Sequence, residues 1–168
     1  MSSTEKRFAY LSLILSVVIS AFLLITLWVL NSAMVNTELL DVRFYYSGAE
    51  AQAFLSKLSP SDVFIYRTIA GVDLFFIAAY TVATYYFFKI NFPLRFLWFG
   101  FIPGILDLLE TSGILFVLAN NTWPICFNYL GAVTAAKWIA VILSWVIILV
   151  FFVYKRLRPV RPPTTRSD

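Results

Sequence analysis

The sequence predicts an all-α, polytopic membrane protein: a bundle of four transmembrane helices with a short amphipathic helix in the first outer loop. Three observations carry this prediction. Of the 168 residues, 61% are hydrophobic and 13% charged, too few charges to clothe a soluble domain of this length. Four apolar runs, at about 8–30, 63–88, 97–118 and 127–154, can each cross a hydrocarbon core of roughly 30 Å at about 1.5 Å per residue. Finally, Lys6, Arg7, Lys89, Arg95 and five residues of the tail fall on one side of those spans, with only Arg43 and Lys57 between spans on the other. The bias of Lys and Arg toward the inner side then places both termini in the cytoplasm, in a plasma, inner or endoplasmic-reticulum membrane. Residues 1–154 read as one four-helix domain and residues 155–168 as a basic cytoplasmic tail.

Taken in order, the first span is uncharged and too long for the apolar core of a signal peptide, so it reads as retained. Ser12, Ser16 and Ser20 recur every four residues along it, a stripe of small residues suited to close helix packing. In the connection that follows, Ser47 and Glu50 have the spacing of a capping box. Ala51, Phe54, Leu55 and Leu58 then form one apolar stripe. This predicts a short helix that lies on the bilayer surface or covers the bundle. Ser59 followed by Pro60 predicts the next helix start, with Pro60 at the first helical position. Gly100 and Gly104, four apart in the third span, read as a close-packing pair. Pro103 predicts a kink one turn before Asp107. Asn120-Asn121-Thr122 matches a glycosylation sequon, a weak signal this close to a span. No internal repeat is present, so an inverted-repeat transporter is not indicated.

The chemistry lies in the charges inside the spans. Asp107 and Glu110 are three residues apart and share a helix face. Asp73 lies in the second span and Lys137 in the fourth. Helical rise puts all four at nearly one depth. An ionised side chain at mid-bilayer costs about 2.5–3.5 kcal/mol on insertion scales, and four such groups avoid lipid best by meeting. Three carboxylates against one lysine predict a cluster that takes up a proton or a bound cation. Tyr66 and Tyr80 lie seven residues to either side of Asp73, and Trp138 adjoins Lys137. Together these seven residues form the candidate ligand or proton site. Asp41, Arg43, Tyr46 and Arg67 are the candidate outer mouth, or alternatively a local network of turn hydrogen bonds.

The chain has no histidine and one cysteine, Cys126. That removes the commonest metal ligand and acid–base catalyst and any internal disulfide. Neither a metal nor a cofactor is expected. The net charge of +4 sits at membrane edges, which argues against nucleic acid and for the lipid bilayer as partner.

The order Asp41, Tyr46, Phe54-Leu55, Tyr66, Asp73 and then Asp107-Leu108-Leu109-Glu110 resembles a group of small bacterial four-span membrane proteins over residues 38–140. That group implies no activity. More loosely, the chain resembles the EXPERA family, the sigma-2 receptor and sterol isomerase group. The points in common are four spans, cytoplasmic termini, Asp41 just after the first span, Asp73 within the second, and Val82-Ala83-Thr84-Tyr85 before Lys89. This resemblance implies an intramembrane pocket for sterols or cationic amphiphiles. The isomerases of that family use a histidine with glutamates. With no histidine here, the resemblance implies ligand binding, not isomerase chemistry.

Three readings follow. A protein that binds or carries a small lipid, sterol or amphiphilic amine needs a cavity touching the charged cluster. A structural or assembly subunit, bound to a membrane-protein partner or to its own copies, needs the charges paired and no cavity. A carboxylate-based lipid- or sterol-modifying enzyme needs an acid and a base within reach of a substrate.

Overall fold

The computed structural model describes residues 3–32, 39–120 and 124–157; the side chains of Asp41 and of residues 120–128 lie outside that description. Its regular elements are all helices: α1 (Ser3–Ser32), α2 (Gly48–Leu55), α3 (Pro60–Asn91), α4 (Trp98–Asn120) and α5 (Pro124–Leu157), with 3-10 turns at Leu40–Val42 and Leu94–Phe96. The four helices other than α2 are long and apolar enough to cross a membrane. Helices α1, α3 and α5 run a few residues past both limits of their apolar runs, and α4 runs two past the end of its own. At the chain's far end, Lys155 and Arg156 belong to the last turn of α5. Both are good helix formers, and their charge favours the negative end of the helix dipole. The described part of α5 thus ends at Leu157. The remainder of the tail, and Asn121 and Thr122 of the sequon, lie outside the described residues.

Two helix starts follow from local chemistry. The Ser47 hydroxyl accepts the Glu50 N–H at 3.3 Å, and the Glu50 carboxylate accepts the Ser47 N–H at 2.7 Å. Ser59 and Asp62 repeat this arrangement at 3.2 and 3.0 Å, with Pro60 in the first helical position. Each reciprocal pair satisfies donors that a helix N-terminus otherwise leaves open. The bonds from Ser47 also hold the Glu50 carboxyl below its ordinary range. Because that pKa is lowered on folding, this support for α2 is complete above the ordinary glutamate value of about 4.3. It is lost as the pH falls through the lowered one.

The long helices pack in chain order: α1 along α3, α3 on α4, and α4 on α5. Adjacent helices run antiparallel. Moving up α3 through Arg67, Asp73, Tyr80 and Thr84 meets α4 in descending order at Leu118, Thr111, Asp107 and Gly100. The α4–α5 pairs Glu110–Thr134, Asp107–Lys137 and Phe99–Ser144 descend in the same way. Glycines permit the α3–α4 approach. A Cβ at Gly100 would lie 3.1 Å from the Tyr85 Cα, and one at Gly104 would lie 2.0 Å from the Thr81 hydroxyl oxygen. On α1 the buried positions are Ala9 and Ser16, small residues seven apart on one face, and α3 is the helix it lies along.

Helix α4 continues through Pro103. Proline has no N–H, so the carbonyl four residues earlier, that of Phe99, lacks its usual partner. The Ser144 hydroxyl on α5 lies 2.9 Å from that carbonyl and 2.8 Å from its own-helix carbonyl at Ala140. The proline is thus accommodated by a donor from the neighbouring helix, the usual remedy in apolar surroundings.

Helix α2 packs on α5. It buries Gly48, Ala51 and Phe54 in an apolar cluster with Tyr46, Tyr66, Ile114, Leu118 and Leu130. Here α5 carries Gly131, where a Cβ would stand 1.9 Å from the Tyr46 carbonyl oxygen.

Gly104→Ala is expected to overpack the α3–α4 contact and to destabilise the fold by about 1–3 kcal/mol. Thr81→Ala in the same protein should restore much of that loss. Unfolding in detergent of the two single variants and the double variant measures the coupling.

Candidate functional site

The centre of the site is the ammonium of Lys137. It lies 3.1 Å from Asp107 Oδ1 and 2.5 Å from Glu110 Oε2. The two carboxylates are one helical turn apart on α4, so one lysine on α5 reaches both. Each acid has a further donor. The Tyr80 hydroxyl on α3 donates to Asp107 Oδ2 at 2.9 Å. The Thr134 hydroxyl on α5 donates to Glu110 Oε1. Asp73 accepts from the Thr111 hydroxyl, next to Glu110 on α4, at 2.9 Å. The Lys137 ammonium also lies 5.3 Å from the centre of the Trp138 ring, within the range of a cation–π contact.

A cavity of about 820 Å³ lies between α1 and α5, with α3 and α4 behind it; Asp73, Tyr80, Asp107, Lys137 and Trp138 are on its wall. Most of the remaining wall is aliphatic and aromatic. Glu110 is not on it. The Glu110 side chain is 0% exposed, against 15% for Asp107. The cluster therefore has two sides: Asp107 meets the cavity, and Glu110 holds Lys137 from behind. A ligand in the cavity would touch Asp73, Asp107, Lys137 and the Tyr80 hydroxyl before it reached Glu110.

Of the seven candidate site residues, six are in this region and one is not. Tyr66 is buried in the apolar cluster under α2, edge-on to Phe54 with ring centres 6.0 Å apart. Its seven-residue spacing from Asp73 puts it on the same face of α3, but two turns nearer the α2 end, where α2 and α4 enclose it. The candidate mouth divides similarly. Arg43 is beside the cavity: its backbone carbonyl accepts the Trp138 indole N–H at 2.9 Å, and its guanidinium lies 5.8 Å from the Phe54 ring centre. Tyr46 is fully buried under α2. Arg67 donates to the Leu118 carbonyl in the last turn of α4, where a cation suits the helix dipole. The side chain of Asp41 lies outside the described residues. Leu39 and Val42, not α2, reach the cavity at this end. Ala51 and Phe54 of the short helix pack instead in the Tyr46–Tyr66 cluster at the end of the bundle.

Four hydroxyls that organise this region had weak signals in the sequence. Thr111 follows Glu110 and lies one turn beyond Asp107. Thr134 precedes Lys137 by one turn, and Ser144 follows it by two. Thr84 lies one turn beyond Tyr80 and donates to the Gly100 carbonyl at 2.8 Å. Each shares a helix face with a residue that stood out by its charge or ring. Among the described residues, no three His, Cys, Asp or Glu side chains are grouped to hold a metal ion.

The molecule is thus a helical membrane protein with a polar, charge-paired centre beside an apolar cavity. Comparison with protein-family models, with curated proteins and with solved structures finds no match for the chain.

Lys137→Met leaves Asp107 and Glu110 together without their cation. It should destabilise the protein by roughly 3–5 kcal/mol, whereas Lys57→Met at an exposed position should stay within about 0.5 kcal/mol. Adding Asp107→Asn to Lys137→Met should recover part of the loss, as measured by unfolding of the single and double variants in detergent.

Proposed function

We propose that this protein crosses the membrane four times with both termini in the cytoplasm and binds or carries a small apolar or amphiphilic ligand in its interhelical cavity. One observation supports this reading above the others: a cavity of about 820 Å³, largely apolar, has Asp73, Asp107 and Lys137 on its wall. Ligand sites commonly combine an apolar body of this size with a few convergent polar groups. Polar side chains within membrane spans are costly and mark functional sites by default.

The charges indicate how such a site would work. Asp73, Asp107 and Glu110 outnumber Lys137 and, all ionised, would leave a net charge of −2 in surroundings of low dielectric constant. A cationic group on the ligand, or a proton, relieves that excess. Asp107 is the exchangeable partner, because it meets the cavity. Glu110 keeps Lys137 in place when Asp107 turns to a ligand. Tyr80 and Trp138 offer ring faces to a cation and polar edges to a headgroup. The function is binding, or carriage coupled to protonation of Asp107 or Glu110, without covalent chemistry.

A structural subunit is the competing reading. The direct pairing of Lys137 with two carboxylates favours it, since such pairing sets helix register without any ligand. The cavity is what that reading does not need.

Two measurements test the proposal. With Cys126→Ser as background, cysteines placed at Ser3 and Gln52 should react with a membrane-impermeant thiol reagent from opposite sides of a sealed vesicle. Reaction from the same side overturns the topology. For the ligand, thermal unfolding is followed across a panel of sterols, lipids and amphiphilic amines at two pH values. A true ligand at a hundredfold excess over its Kd adds about 2.7 kcal/mol of stability. Asp73→Asn should weaken binding of amines roughly tenfold or more, since a charged hydrogen bond contributes about 1.5–3 kcal/mol. If no compound shifts the wild type, the structural reading stands instead.

A further inference from the structure

The cavity has a shape as well as a volume. Its α1 wall extends from Leu13 to Asn31 and its α5 wall from Lys137 to Phe152, lengths of about 27 and 22 Å along the helix axes. Spread over such lengths, a volume of about 820 Å³ is drawn out along the helix axes. The cavity is a slot parallel to the helices, long and narrow, not a rounded chamber.

The slot is also polarised from end to end. Asp73, Asp107, Lys137 and Trp138 lie together in its half nearer α2. Toward the end where α3 finishes, the wall is formed by Phe87, Phe99, Ile148 and Phe152. Two hydroxyls lie between these halves, and both are engaged with backbone: Thr84 with the Gly100 carbonyl and Ser144 with those of Phe99 and Ala140. Among the described residues, the hydroxyl hydrogens on this part of the wall are thus turned to backbone carbonyls.

One side of the slot is open. Among the described residues, α1 and α5 share no extended packed interface, although both line the slot. At its edges Val17, Leu24 and Trp145 are more than half exposed. An apolar opening of this kind, in helices of membrane-crossing length, communicates with hydrocarbon and not with water.

From this we infer that the slot admits a single-chain amphiphile sideways from the bilayer, between α1 and α5. Its hydrocarbon tail lies along Phe87, Phe99 and Ile148, and its hydrogen-bonding head lies at Asp73, Asp107 and Lys137. The inference rests on the binding reading above and adds the ligand's form, its orientation and its route.

The test uses a long-chain primary alcohol with a photoreactive diazirine at the tip of its tail. The full-length protein is reconstituted in phosphatidylcholine vesicles containing this probe, irradiated and mapped by peptide mass spectrometry. The expected labels are on Phe87, Phe99 and Ile148. Val17→Trp, which places a large ring in the α1 wall, should reduce those labels several-fold. Labelling of Phe64 and Phe75, which are 72% and 70% exposed on α3, should not change. If Val17→Trp does not fold, Val17→Phe makes the same test with a smaller ring. Labels confined to exposed residues such as Phe64 and Phe75 overturn the inference, as do slot labels that the wall variant leaves undiminished. If slot labels are absent but an amphiphile still raises the unfolding temperature, the chain-entry inference fails while ligand binding survives. If both signals are absent, both fail.

Discussion

The structure depends on one lysine held between two carboxylates. Lys137 is the only cation in the middle of α5, and Asp107 and Glu110 are the only acids in α4. In an apolar bundle each charge is costly alone, and together they are tolerable only at close range with further hydrogen bonds. That requirement fixes the register of α5 against α4. It also draws in α3, because Tyr80 is the donor to Asp107. A shift of either helix by one turn would take Lys137 from at least one of its two acids. The contact sets position more than it adds stability, since a well-packed apolar replacement of the whole set would hold the helices at least as firmly.

Around that centre the bundle is arranged as a row. Glycines at 100 and 104 let α3 and α4 approach closely, and Ser144 compensates the carbonyl that Pro103 leaves without a donor. Helix α1 is different. It lies along α3 and, among the described residues, has no extended interface with α5, so the row does not close into a ring. The slot is the consequence. Its wall is polar only where the charge cluster reaches it, on the Asp107 side, while Glu110 remains behind the lysine. One cluster thereby serves two purposes that are physically separable, holding helices in register and presenting charge to a cavity.

The segment between α1 and α3 closes one end of this arrangement. Tyr46, Phe54 and Tyr66 form an apolar plug against α4 and α5, and Gly131 leaves room for the backbone at Tyr46. Of the described residues in this segment, Leu39, Val42 and the Arg43 carbonyl turn toward the slot and Trp138. The short helix therefore stabilises the end of the bundle, and the stretch before it forms the boundary of the cavity.

The sequence by itself determined what is local or additive. Long apolar runs mark helices of membrane-crossing length because span length is a sum over consecutive residues. The Ser47–Glu50 box and the Ser59-Pro60 start are legible because capping involves side chains three residues apart. The four charges within the spans stood out because apolar surroundings make each conspicuous, and helical rise alone put them at one depth. Only the tertiary structure decided how these parts meet. It assigned both acids of α4 to Lys137, gave Asp73 to Thr111, and removed Tyr66 from the site although its spacing matches Asp73 and Tyr80. Periodicity fixes the face on which a residue lies, but not which neighbour covers that face at each level. The slot was not legible at all, because it arises from a contact that α1 and α5 do not make, and no pattern within either helix records the distance to the other.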